Sequence, residues 1–196
     1  MADVETLSAV VVGALLATAG GFAATRLEGI ISRRERERDA ALLFGEILSV
    51  LELTTRLADR ARQRGEPFGH VTLRLVRATK REIDVYDRNR ESLFALRSAS
   101  LRAEIHALIV RMTMALDGVL DSTTMIAEAL GAASRLEAEG PARAEALERV
   151  ETLILARQTA FEFALETAAG TAPIIALLRP LARHKFDAYE PVIEGF

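Results

Sequence analysis

From Leu7 to Thr25 the chain reads LSAVVVGALLATAGGFAAT, without a charge, and from Ala40 onward apolar positions return every three or four residues. The first pattern predicts a transmembrane helix and the second an all-α body. At about 1.5 Å per residue the uncharged stretch is about 28 Å long, close to the roughly 30 Å hydrocarbon core of a bilayer. Its strongly apolar members are Leu7, Val10, Val11, Val12, Leu15, Leu16 and Phe22. Together they favour insertion by roughly 2 to 4 kcal/mol before the glycines and threonines subtract, which makes insertion favourable but modest.

The body divides at its breakers. Leu43, Phe44, Ile47, Leu48, Leu51, Thr54, Leu57 and Ala58 form one helical stripe, which Gly65, Pro67 and Gly69 end near Arg64. A second helix is expected from about Phe68, with Val71, Leu75, Val76, Thr79, Ile83 and Tyr86 inward and Arg74, Arg77, Arg81 and Arg88 outward. The pattern loosens from Asn89 to Ser100, where Ser98 or Ser100 is placed to cap the next helix. That third helix, Leu101 to about Ala138, carries Leu101, Ile105, Leu108, Met112, Ala115, Val119, Ile126 and Ala133 at coiled-coil-like intervals. Gly118 and Ser122 to Thr124 soften its middle, enough to bend it or admit a close neighbour.

Gly140-Pro141 starts a fourth helix, and Leu147, Val150, Leu153, Ile154, Phe161, Leu165 and Ala168 line it as far as Gly170. Beyond Pro173 come Ile174, Ile175, Leu177, Leu178 and Leu181, then Phe186, Tyr189 and Phe196. The expected fold is an N-terminal transmembrane helix continuing into an antiparallel up-down four-helix bundle with a short C-terminal helix. Its divisions are an acidic tail (1–6), the span (7–25), a charged juxtamembrane helix (26–39), the bundle (40–170) and an apolar tail (171–196). Such a bundle returns the 89–100 link and Gly170 to the membrane side. The tail then either packs on the bundle end or meets the membrane surface, and packing is preferred because it is too short to span.

Charge orients the span. Asp3 and Glu5 precede it, whereas Arg26, Arg33, Arg34, Arg36 and Arg38 follow it. Basic residues stay on the cytoplasmic side, so the N-terminus faces out and the body faces the cytoplasm of a single-pass inner-membrane protein. Ala17-Thr18-Ala19 resembles a signal-peptide cleavage site, but no basic region precedes it and the following arginines resist translocation. In RRERERD (33–39), opposite charges three and four residues apart support an exposed helix. Its arginines can also meet anionic headgroups, at about 1 kcal/mol each, an attraction that Glu35 and Glu37 dilute. Ala9, Gly13, Ala17, Gly21 and Thr25 recur every fourth residue, a spacing that lets another backbone approach closely. Self-association or a partner span is the reading this suggests.

The absence of cysteine excludes disulfides, thiolate nucleophiles and cysteine metal sites, and a net charge of −3 with mixed signs gives no case for nucleic acid. No phosphate loop or HExxH is present. A di-iron bundle needs Glu three residues before His, but Pro67, Ala103 and Leu181 precede His70, His106 and His184. Arg77 and Ala182 stand where a Ser-x-x-Lys pair would need serine before Lys80 and Lys185. No catalytic residue, cofactor, metal or small-molecule substrate is therefore expected. Within the body, the cluster Tyr86, Asn89, Arg90 and Glu91 at the membrane-side link is the candidate interaction patch, and His106 a candidate pH-sensitive group.

The layout of Leu7 to Asp39 ahead of a helical body resembles uncharacterised bacterial single-pass membrane proteins with a cytoplasmic helical bundle. That resemblance implies a class and no activity. The expected function is a membrane-anchored interaction or scaffold protein whose partners are the bilayer and either itself or another membrane protein. A signalling component that transmits a change through its first helix is the alternative.

Overall fold

The computed structural model describes residues 2–136 and 140–186, with side chains from Arg26 onward. Five α-helices occupy these residues: α1 (Ala2–Arg64), α2 (His70–Arg88), α3 (Ala99–Ala133), α4 (Pro141–Ala169) and α5 (Thr171–Ala182). A 3₁₀ turn, Arg90–Ala95, links α2 to α3, and no strand occurs among the described residues. The fold is all-helical. The side chains of Leu7 to Arg26's predecessor, including Ala9, Gly13, Ala17, Gly21 and Thr25, lie outside the described set, as do residues 187–196 with Tyr189 and Phe196.

At 63 residues α1 is about 95 Å long, far longer than the body that packs on it. Its core-facing part begins at Ala40, where burial sets in abruptly with Ala40, Ala41, Phe44, Ile47, Leu48 and Leu51. Residues 26–39 instead stand largely exposed, touching the body through side chains such as Glu37 and Arg38. Thus the change from RRERERD to the apolar stripe marks the point where the helix enters the core.

Chain direction follows from paired contacts. Phe44 meets Tyr86 edge-on at 5.9 Å, and Thr79 donates a 2.9 Å hydrogen bond to Thr54, so α2 runs back along α1. Ser98 accepts from the Leu101 N–H and starts α3 beside Arg97, which binds Glu37 of α1. Lys80 pairs with Asp117 at 2.7 Å, placing α3 antiparallel to α2. Arg111 lies 3.7 Å from Glu166, and α4 returns along α3. A Cβ at Gly118 would stand 3.1 Å from that of Ala160, so this glycine marks a close helix approach.

Phe161 of α4 is fully buried, with Phe68 edge-on at 5.5 Å and the Arg62 guanidinium 4.9 Å above its ring. It therefore sits level with the α1–α2 turn. Phe68 belongs to that turn, in a left-handed conformation with φ 59°, and the helix begins at His70, not at Phe68. Past Phe161 the α3–α4 hairpin has no cover from α1 or α2, which explains why Leu147 and Ile154, expected to be inward, are 41% and 44% exposed. Val71 is also exposed at 43%, and Thr72 takes the buried place in the first turn of α2.

Gly170 lies beside Leu108 in mid-body, not at the end of the body where α1 leaves it. The remaining distance is covered by α5, which runs down α1 from the Thr171–Glu52 hydrogen bond (3.1 Å) to Arg38, whose Nε donates to the Ala182 carbonyl at 3.4 Å. Ile174, Ile175, Leu178 and Ala182 are buried there. Arg183 then turns the chain in a left-handed conformation (φ 54°), and the Phe186 ring lies over Gly45, where no Cβ would fit beneath it. Packing claims 171–186, along the flank of α1 instead of the bundle's end. Among residues 26–136 and 140–186 one stretch, Pro141–Ala182, is long and apolar enough to cross a membrane, and 44% of its most apolar window is buried within the fold. Phe161, Ala164, Ala168, Ile174 and Leu178 form that buried face.

Candidate interaction site

Where α1 leaves the body, the 3₁₀ turn closes over it. Asn89 ends α2 with its side-chain amide donating to the Val85 carbonyl at 2.8 Å, and its own carbonyl accepts from the Ser92 N–H at 2.9 Å. In a 3₁₀ helix every third side chain eclipses, so Leu93 and Leu96 both point into the core. Phe94, between them, is left 80% exposed. A half-open cleft of about 870 Å³ lies between this turn and α1, with Ala40, Leu43 and Ala95 on its floor and Arg33, Arg36, Asp39, Glu91 and Arg97 at its rim.

Electrostatics hold the turn to the helix. Arg97 pairs with Glu37 at 3.2 Å, and its backbone N–H donates to the same carboxylate at 3.1 Å. Arg102 closes the other side by donating to the Leu96 and Arg97 carbonyls. The turn is thus fastened to residue 37, just before α1 enters the core.

The sequence-derived residues fall out as follows. Arg33, Arg34, Arg36 and Arg38 lie on the projecting, exposed length of α1, along with Arg26. Arg36 donates to Ser32 at 2.9 Å, while Arg38 is tied to the end of α5. The patch Tyr86, Asn89, Arg90 and Glu91 is split by burial. Tyr86 is 1% exposed and packs inside, whereas Arg90 and Glu91 face solvent.

His106 stacks on Tyr86 with ring centroids 6.4 Å apart, its Nδ1 lies 3.0 Å from the Tyr86 hydroxyl, and its Nε2 lies 3.5 Å from Arg90. Burial raises the Tyr86 pKa above the usual phenol value, partly offset by Arg90. Its folded form is therefore favoured neutral, and that contribution to stability declines only as pH rises above about 10. This cluster joins α2 to α3 and does not open onto the cleft.

Sequence reasoning missed Phe94, Arg97 and the basic end of α5. The signal for Phe94 was present as Leu93 and Leu96 three apart, a 3₁₀ period hidden by a search at helical spacing. No group of three or more His, Asp or Glu is arranged to hold a metal among the described residues. No family model, curated protein or solved structure matches the chain.

Proposed function

We propose that this chain is a membrane-anchored helical interaction or scaffold protein. Leu7 to Thr25 would span the inner membrane once, with the N-terminus outside and the body in the cytoplasm. The body would act as an up-down-up-down bundle whose fourth rod is α4 continued by α5. The single observation that carries this reading is α1 itself. One helix runs from Ala2 through the uncharged stretch to the core, and its residues 26–36 are largely exposed ahead of the points, Glu37 and Arg38, where the body is fastened to it. Docking is the function that such a layout serves, and no residue in it calls for catalysis.

Alkaline carbonate tests the anchor. The full chain is expected in the membrane pellet, and a chain beginning at Arg33 in the supernatant. Release of the full chain would overturn the reading. Self-association through Ala9, Gly13, Ala17, Gly21 and Thr25 is part of the proposal, because small residues allow backbones to pack where lipid supplies no hydrophobic drive. Replacing Gly13→Leu together with Gly21→Leu should reduce crosslinked dimer in membranes. Undiminished dimer would rule the stripe out.

The same unbroken α1 favours a second reading, a signalling component, since a rotation or shift of the span would pass directly into the core. Crosslinks between first helices would then change with a stimulus. Crosslinks indifferent to every condition that alters the protein's output would reject it.

A further inference from the structure

We propose that the membrane-side end of the body is a second membrane contact, docking on an anionic phospholipid leaflet with Phe94 at its tip. This rests on the anchored reading above and specifies what the body does next to the bilayer. Three segments meet at this end: α1 from 26 to 39, the link from 87 to 104, held to Glu37 by Arg97, and the end of α5 from 179 to 186, held to Arg38. They carry 12 Arg and Lys against 7 Asp and Glu, while the rest of the chain carries 13 against 21. A chain with net charge −3 therefore has an end at +5. The asymmetry points positive charge at the side where the span lies.

Attraction to anionic lipid falls off within a Debye length, about 8–10 Å, so position matters as much as sign. If α1 stood upright, Glu37 would be about 18 Å along the helix from Thr25 at 1.5 Å per residue. Because α1 is one helix, a lean of the span carries the whole body with it, and spans lean by up to about 40°. Leaning towards the 3₁₀ turn brings Phe94, Arg90 and Arg97 down on one side of α1. Phe94 is the apolar group this end exposes most, at 80%, and an aromatic flanked by arginines suits the headgroup region.

The lack of cysteine allows a direct test. Full-length chain carrying Phe94→Cys, or Leu155→Cys on the far hairpin (67% exposed), is labelled with an environment-sensitive fluorophore and reconstituted into vesicles containing nitroxide-headgroup lipid. In phosphatidylglycerol vesicles, label at 94 should be quenched about fivefold more than label at 155, and adding Arg90→Glu, beside Phe94 on the same link, should reduce that difference. High salt should do the same. Equal quenching at both positions, in vesicles with which the protein floats, would overturn the docking and leave the anchor standing. Disulfide dimers formed through position 94 would also overturn it, in favour of a contact between copies. Failure of the chain to float would instead remove the anchor, and the docking with it.

Discussion

Ending the chain after Gly170 is expected to abolish its cooperative thermal transition. The residues lost include Ile174, Ile175, Leu178 and Phe186, all 7% exposed or less, together with Ala182. At about 1.5–3 kcal/mol for each large side chain, their burial contributes roughly 6–12 kcal/mol, an upper estimate because unfolded chains are partly compact. Whole domains are stable by only about 5–15 kcal/mol. Their removal also uncovers Gly45 of α1, over which the Phe186 ring lies, and leaves Glu52 without Thr171.

Leu178→Ala gives a milder form of the same experiment. A fully buried leucine cut to alanine loses about 2–5 kcal/mol, through transfer and the cavity left behind. In a protein of this size that lowers Tm by roughly 4–20 °C. Thermal melts followed by circular dichroism read both variants. An unchanged melt after truncation would mean that α5 rests on the body without holding it together.

Phe161→Ala is the second large effect expected, a loss of about 3–5 kcal/mol of stability in chemical denaturation. Phe161 is where the α3–α4 hairpin meets the α1–α2 hairpin at the far turn. Its ring packs edge-on against Phe68, under the Arg62 guanidinium, while Arg157 covers Phe68 at 4.3 Å. An edge-on aromatic pair adds about 0.5–1.5 kcal/mol beyond its buried area, and truncation removes both. Leu155→Ala, six residues away on the exposed side of α4, is the matched control and should stay within about 0.5 kcal/mol of the parent. If both variants unfold alike, Phe161 does not tie the hairpins.

The sequence by itself determined the helical class and most of the core. All eight apolar positions expected inward on α3 are buried, from Leu101 to Ala133, as are Phe44, Ile47, Leu48, Leu51 and Ala58 of α1. A 3.6-residue period is a local property, so burial that follows it can be read one helix at a time. Gly65, Gly140 and Ser98 likewise mark helix ends through local backbone and capping chemistry. Tertiary structure decided what lengths and neighbours alone could settle. Leu147 and Ile154 lie on the expected stripe yet face solvent, because α3 and α4 outrun their cover. Gly170 stops in mid-body, and α5 replaces it against α1. Phe94 is exposed because Leu93 and Leu96 turn inward at a period of three, and Arg97 reaches Glu37 across 60 residues of sequence. No local pattern encodes which surfaces remain uncovered when helices of unequal length come together, and the candidate site lies on such a surface.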